Sequence, residues 1–201
     1  MRLTASELAC HRGGRDVFAG VNFRVESGAA LTISGRNGAG KSTLLRTIIG
    51  LVRLAAGRLA LEEGDPELSI AEQAHYLGHQ DALKSALSVA ENLAFWAGYF
   101  GAPAIDVGKP LDAVGLAGLA ALPAGYLSAG QRRRLSIARL IAVPRPIWLL
   151  DEPASTLDAA AQVRLADLMK SHLAAGGLIV AAAHGSIGLD KAQDLRLGQA
   201  A

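Results

Sequence analysis

Long apolar runs are missing from this sequence. Its 201 residues are 51% hydrophobic, with a mean hydropathy of +0.28. The longest candidate run, residues 178–183, nevertheless has the length of a β-strand and falls well short of the ~20 residues that a bilayer-spanning helix needs. Residues 1–10 include Arg2 and Glu7 and lack the apolar stretch of a secretory signal. We therefore expect a cytoplasmic protein that is not itself inserted in a membrane and that reaches one only through partners.

Cysteine and net charge are also scarce. The single cysteine, Cys10, cannot form an internal disulfide or a metal cluster, which favours a reducing compartment. A formal net charge of +2 is too small to indicate nucleic acid binding, and the only basic run, residues 132–134, is short. The sequence has no internal repeat and no heptad segment, which argues against long coiled-coil inserts.

Strand and helix patterns alternate along the chain. Residues 21–25 alternate apolar and polar side chains and predict antiparallel strands before Gly28. Further strands are predicted at 30–34, 147–150 and 178–183, and helices at 42–51, 91–100, 111–121, 129–142 and 159–175, with Pro103 and Pro110 as breaks before the third helix. This order predicts an α/β core with a mostly parallel sheet in one domain, residues 1–201.

A glycine-rich segment follows the strand at 30–34 and matches the pattern G-x-x-x-x-G-K-[ST] in full. Its glycines allow successive backbone N–H groups to point into one concavity at a helix N-terminus, where anions bind. Lys41 supplies a charge for the β- and γ-phosphates of ATP, and Ser42 supplies a hydroxyl for Mg²⁺. The predicted nucleotide site comprises Gly35, Arg36, Asn37, Gly38, Ala39, Gly40, Lys41, Ser42 and Thr43.

Two carboxylates, Asp151 and Glu152, follow the four apolar residues of the strand at 147–150. A buried strand delivers both to the carboxyl edge of the sheet, where ligands bind in α/β folds. Asp151 suits the Mg²⁺ shell, and Glu152 suits orientation or deprotonation of an attacking water. An isolated pair of this kind is more often a solvated strand end, but the phosphate loop upstream favours the catalytic interpretation.

The segment Leu-Ser-Ala-Gly-Gln at 127–131 resembles the LSGGQ signature of ABC (ATP-binding cassette) ATPases. Gln80 resembles the glutamine of that family's Q-loop, Asp158 its D-loop aspartate and His184 its switch histidine. Each match alone is weak, and Ser128 could equally be an ordinary helix N-cap. Together with the two motifs above, however, they form an ordered set that spans residues 35–184.

The resemblance to ABC ATPases implies a P-loop NTPase cassette with an antiparallel β subdomain and an inserted helical subdomain at about residues 89–142. It implies a head-to-tail homodimer with ATP sandwiched between protomers, so that Ser128 and Gly130 contact the γ-phosphate bound by the other chain. Lys41, Glu152 and His184 would be the catalytic residues. Gln80 would help to bind Mg²⁺ and would contact a permease.

Two positions depart from the family pattern. The aromatic residue that stacks on adenine should fall at His11 or Arg12, and neither is a Tyr or Phe, so base selectivity should be relaxed. Arg36 occupies a loop position where proline is frequent, and an outward-pointing side chain should be tolerated there.

Residues 76–96, which run from Tyr76-Leu77-Gly78-His79-Gln80 to Phe95-Trp96, resemble the Q-loop region of the cytochrome c biogenesis ATPases, the ATP-binding subunits of a bacterial haem exporter. The resemblance implies integral membrane permease subunits as partners and a peripheral position on the cytoplasmic face of the inner membrane. The alternatives are an exporter subunit for a lipid or a drug and, less favoured, an ABC ATPase outside transport. Nothing in the sequence makes His79 or Cys10 a haem ligand.

Overall fold

The computed structural model describes residues 1–102, 105–185 and 187–198. Its strands and helices follow one another as β1 (Arg2–Arg12), β2 (Arg15–Glu26), β3 (Ala30–Ser34), α1 (Lys41–Ile48), β4 (Ala56–Glu62), β5 (Ala74–Leu77), α2 (Val89–Tyr99), α3 (Gly108–Ala113), two 3₁₀ turns (Ala117–Leu119 and Ala124–Tyr126), α4 (Ala129–Ala142), β6 (Ile147–Asp151), α5 (Ala159–Ala174), β7 (Leu178–Ala182) and β8 (Gln193–Arg196). Among these described residues, no helix is long and apolar enough to cross a bilayer.

The strands form two sheets. An antiparallel sheet has the order β2-β1-β4, and its first hairpin turns through Gly13 and Gly14, which both have positive φ angles. A five-stranded sheet has the order β5-β6-β7-β3-β8, and all of its strand pairs are parallel. The carboxyl ends of its strands therefore meet at one edge, which places the loops that follow β3, β5, β6 and β7 side by side.

Apolar side chains cover both faces of the parallel sheet. Every residue of β6 and β7 is buried, as expected for central parallel strands. Trp148 and Leu150 pack with helices α2 to α5, whereas Ile147 and Leu149 belong to a second cluster with α1 and the antiparallel sheet. Because side chains alternate along a strand, Asp151 lies on the same face of β6 as Ile147 and Leu149, which is the face towards α1.

The α/β fold with a parallel and an antiparallel sheet is confirmed, but the predicted helix at 111–121 is wrong. The chain instead ends α3 at Ala113 and turns at Gly115, whose φ of +67° a helix cannot continue. Pro110 lies in the first turn of α3, where its missing N–H has no helical partner to lose. The other predicted break, Pro103, lies outside the described residues.

Candidate active site

The phosphate loop lies between β3 and α1 and depends on its glycines. Gly35, Gly38 and Gly40 have φ angles of +138°, +81° and +97°, which side chains with a β-carbon rarely adopt. A β-carbon at Gly40 would also lie 2.8 Å from Val17 Cγ1, and one at Gly35 would lie 2.6 Å from the Leu197 carbonyl oxygen. The loop is therefore packed between β2 and the end of β8, with no room for larger residues at these two positions.

Lys41 opens helix α1 and is buried. Its Nζ donates to the carbonyl oxygen of Gly35 at 3.0 Å and to Nε2 of His184 at 3.1 Å. An ammonium group can only donate, so His184 accepts through Nε2 and holds its own proton on Nδ1 in this contact. A phosphate oxygen is a stronger acceptor for this ammonium group because the phosphate itself is negatively charged.

Ser42 and Asp151 meet across the edge of the sheet. The Ser42 hydroxyl donates to Oδ1 of Asp151 at 2.9 Å, and the Asp151 side chain is buried. A hydroxyl and a carboxylate are the oxygen ligands that Mg²⁺ prefers, and Mg²⁺ usually completes its shell with waters and substrate phosphates. The described residues contain no group of three or more His, Cys, Asp or Glu side chains that could hold a metal unaided. The pair therefore fits a magnesium ion carried with a nucleotide.

Glu152 follows directly, in a backbone conformation that is unusual for a side chain. Its φ is +47°, which costs ~1–2 kcal/mol for a residue other than glycine. The Glu152 N–H donates to the carbonyl oxygen of Ala182 at 2.9 Å and so anchors the turn to β7. Its carboxylate Oε1 lies 3.6 Å from Nε2 of His184, and about a quarter of the side chain remains exposed. Strain of this kind persists only where neighbouring contacts hold it.

Lys41, Ser42, Glu152 and His184 line one cleft of about 770 Å³. Eight of its lining residues belong to the predicted site: Asn37, Gly38, Gly40, Lys41, Ser42, Thr43, Glu152 and His184. Arg12 also lines it, whereas His11, the other position expected for a stacking side chain, pairs with Asp16 at 3.1 Å. Arg12 is therefore the residue that reaches the place where the family's stacking side chain was expected.

The cleft also contains Val17, His79 and Ser155, which are not among the predicted site residues. His79 and Ser155 neighbour the predicted residues Gln80 and Asp158, so the motifs pointed to the right loops but not to the side chains that face the cleft. Val17 carried no signal of its own. It lies on β2 and enters the site because its side chain closes over Gly40.

Eight predicted site residues are not among those that line the cleft. Gly35, Arg36 and Ala39 belong to the phosphate loop itself, and Asp151 is bonded to the lining residue Ser42. The other four are Gln80, Ser128, Gly130 and Asp158. Ser128 forms a capping box at the start of α4, in which its Oγ accepts from the Gln131 N–H at 3.2 Å. Asp158 caps α5 by accepting from the Ala161 N–H at 2.8 Å. A β-carbon at Gly130 would lie 3.0 Å from the Thr156 carbonyl oxygen, so the chain before α5 packs closely against the start of α4. Within one chain, these residues stabilise helix starts beside the site.

Gln80 instead lines a second concavity, also of about 770 Å³, which we call the aromatic groove. Tyr76, Trp96, Tyr99 and Phe100 supply its aromatic side chains, with Arg139 over the Trp96 ring at 4.7 Å and Arg145 over the Phe100 ring at 4.4 Å. Leu51 and Tyr99 on its rim are 67% and 72% exposed. His79 lines both the groove and the cleft.

The fold and this cleft are those of an ABC transporter ATPase. A family model described as "ABC transporter" matches residues 18–155, more than half of the chain. Two solved structures share the fold at 22% and 21% identity: an ATP-binding subunit of an ABC transporter, with a TM-score of 0.86 over 98% of this chain and 86% of that one, and an ABC transporter ATP-binding protein from Pyrococcus furiosus, with a TM-score of 0.83 over 98% of both.

Full-length relatives show which family of ABC transporter ATPases the chain resembles. "Cytochrome c biogenesis ATP-binding export protein CcmA" from Nitrobacter winogradskyi is 57% identical over 100% of both chains. The protein of the same name from Rhodopseudomonas palustris strain BisB18 is 59% identical, again over 100% of both. The chain therefore belongs to the cytochrome c biogenesis ATP-binding export family of ABC transporter ATPases, as residues 76–96 suggested.

Proposed function

We propose that this chain hydrolyses ATP as the nucleotide-binding subunit of a membrane exporter, and that the exporter serves haem export or the release of a haem-loaded carrier in c-type cytochrome biogenesis. The observation that carries the reaction is the convergence of Lys41, Ser42, Glu152 and His184 on one cleft at the phosphate loop, with Asp151 bonded to Ser42 behind it. The assignment of haem as the cargo rests on membership of the cytochrome c biogenesis family, which favours haem over a lipid or a drug.

The proposed reaction is in-line attack of water on the γ-phosphorus of ATP, with ADP as the leaving group. The N–H groups of the loop and Lys41 hold the phosphates, while Ser42 and Asp151 would hold Mg²⁺, with Gln80 as a further contact. The ion would neutralise charge on the β- and γ-phosphate oxygens. Glu152 orients the water and accepts its proton, and His184 contacts the γ-phosphate. The short distance between Glu152 and His184 supports a shared task at one phosphate.

We further propose that the site is completed by a second copy of the chain, bound head to tail. Ser128 uses its hydroxyl oxygen to accept a capping hydrogen bond, which leaves its O–H free to donate. The first N–H groups of α4, including that of Gly130, have no partner within the helix and favour an anion. Since none of these groups lines the cleft of its own chain, a γ-phosphate held by the partner is the ligand they fit. Asp158 caps α5 just after Thr156, whose carbonyl oxygen lies against Gly130.

The aromatic groove is our proposed docking site for integral membrane permease subunits, which would hold the chain at the cytoplasmic face of the inner membrane. Residues 76–96, the Q-loop region, supply part of this surface: Tyr76 and Trp96 line the groove, and Phe95 is 42% exposed beside Lys84. Leu77 in the same region is fully buried in β5 and takes no part in it. Exposed Leu51 and Tyr99 extend the apolar rim instead, which is costly to leave in water.

We also propose that residues 1–201 form one ABC ATPase domain with an inserted helical subdomain at about 89–142. Helices α2, α3 and α4 all lie within that range, and they share one apolar cluster with the face of β6 and β7.

A substitution at Glu152 tests the proposed reaction. Glu152→Gln keeps the shape of the side chain but cannot take a proton. ATP binding should persist, turnover should fall ~10²–10⁴-fold, and an ATP-bound dimer should accumulate in gel filtration with MgATP. Glu67→Gln, at an exposed carboxylate away from the cleft, is the matched control. Monomer only, together with persistent hydrolysis by the Glu152→Gln protein, would contradict the assignment.

A further inference from the structure

Arg133 is a buried arginine in the second turn of α4, five residues after Ser128. In the sequence it is the middle member of the basic run 132–134, with nothing to distinguish it from its neighbours. In the structure its guanidinium donates five hydrogen bonds, to Gly78, Asp81, Asp151, Glu152 and Pro153. One side chain thus joins the signature helix to the two loops that follow β5 and β6.

One edge of the guanidinium faces the turn that carries Glu152. Nη2 donates to the carbonyl oxygens of Asp151 at 2.7 Å and Glu152 at 2.9 Å, and Nε donates to that of Pro153 at 3.2 Å. Three successive carbonyl dipoles pointing at one place repel one another unless a cation lies between them. Arg133 supplies that cation, and it bonds the carbonyl group of the residue whose φ is +47°. The Glu152 backbone is therefore held by Ala182 at its N–H and by Arg133 at its carbonyl.

The other edge faces residues 78–81. Nη1 donates to the Gly78 carbonyl oxygen at 2.7 Å and to Oδ1 of Asp81 at 3.3 Å. Ser136, one turn further along α4, donates to the Asp81 carbonyl oxygen at 2.8 Å. These contacts bracket His79 and Gln80, the residues that line the cleft and the aromatic groove.

We propose that Arg133 is a positioning residue that holds Glu152 towards the cleft and transmits displacements of residues 78–81 to it. The guanidinium is a planar, rigid fork, so a shift of the partners on one edge moves the partners on the other. Lysine carries the same charge as a single point and cannot bond both edges at once. This inference rests on the proposed role of Glu152 in ATP hydrolysis, and it adds that the signature helix sets the geometry of that residue.

Arg133→Lys in the full-length chain tests the proposal, with Arg134→Lys as the matched control. Arg134 is the next residue of the same helix and donates to the carbonyl oxygens of Val114 and Gly115, away from the cleft. We expect Arg133→Lys to lower kcat by about ten- to a hundredfold, because Glu152 is misplaced. The Kd for ATP should stay within about threefold of wild type, since the phosphate loop is untouched. Arg134→Lys should change neither quantity, and equal kcat values for the two variants would overturn the proposal.

A second comparison separates positioning from general structural damage. In a Glu152→Gln background, Arg133→Lys should change the residual turnover by less than about threefold, because the group it positions is already gone. The same fold-loss in both backgrounds would show that Arg133 does not act through Glu152. Wild-type turnover by Glu152→Gln alone would refute the proposed catalytic role and this inference with it. A slow Glu152→Gln with a wild-type Arg133→Lys would refute this inference alone.

Thermal unfolding of each variant reports whether the fold survives. Should Arg133→Lys not fold, Asp81→Ala takes its place, since the Asp81 side chain is 22% exposed and water can reach the space that it leaves. It removes one of the two bonds to the 78–81 edge. We expect kcat to fall by about threefold or more with ATP affinity unchanged, and an unchanged kcat would overturn the coupling of this loop to Glu152.

Discussion

Acid should destabilise this protein through one buried histidine, His75. It lies in β5, is 1% exposed, and has Nε2 2.6 Å from the Val143 carbonyl oxygen, to which it donates. Burial lowers the pKa of His75 from 6.5 to about 4; the Val143 carbonyl opposes this shift, and the nearby charges of Arg145 and Arg139 add to it. At pH values between 4 and 6.5, His75 binds a proton in the unfolded chain but not in the folded one. The stabilisation is thus complete above pH 6.5 and is lost as the pH falls from 6.5 towards 4.

The size of this effect follows from the two pKa values. Going from pH 7 to pH 5 should remove ~2 kcal/mol from the free energy of unfolding, and the loss should level off near ~3 kcal/mol below pH 4. His75→Gln retains an N–H donor for Val143 but does not titrate. Urea unfolding at both pH values should therefore show a drop that is ~2 kcal/mol larger for wild type than for His75→Gln. His172, whose pKa burial also lowers, contributes equally to both proteins and cancels. An equal drop in the two proteins would refute the reasoning.

Three further predictions concern ligands and partners. Lys41→Ala should abolish ATP binding and turnover, because it removes the buried ammonium at the phosphate loop; near-wild-type values in a binding and a phosphate-release assay would contradict its assignment. With Arg12 in place of an aromatic at the cleft, GTP should compete with ATP within about tenfold in a displacement assay, and a hundredfold preference for ATP would refute relaxed base selectivity. Leu51→Ser on the rim of the aromatic groove should weaken co-purification with the membrane subunits while Val163→Ser, at a similarly exposed residue on α5, should not; equal recovery would argue against the groove as a docking site.

The features that could be predicted from the sequence are those encoded in short contiguous segments. The phosphate loop and the carboxylates after β6 depend on neighbouring residues and on one strand each, and the structure brings Ser42 to Asp151 as the motifs suggested. Helix α4 has the predicted bounds, since a capping serine and the proline at 144 mark its ends. The same local logic failed at 111–121, because a single glycine at 115 takes a left-handed conformation that composition does not reveal.

Features that depend on tertiary contacts could not be predicted from the sequence. Strands β5 and β8 have four residues each, and β8 is largely polar, so neither shows a clear alternation. The run 132–134 contains three arginines that make different contacts in the structure. Arg132 donates to the Leu127 carbonyl oxygen and Arg134 to those of two residues after α3, whereas Arg133 alone turns into the protein. Its partners come from two loops more than 15 residues away in sequence, which no local pattern records.

The most direct test of the proposed function is covalent haem attachment to periplasmic c-type cytochromes in a strain that lacks this gene. Haem staining of separated proteins should show no c-type cytochromes in the deletion strain, while b-type haem proteins remain. A plasmid with the wild-type gene should restore them, and one with Glu152→Gln should not, because hydrolysis drives the export. Normal c-type cytochromes in the deletion strain, with no duplicate gene present, or full rescue by Glu152→Gln, would contradict this account.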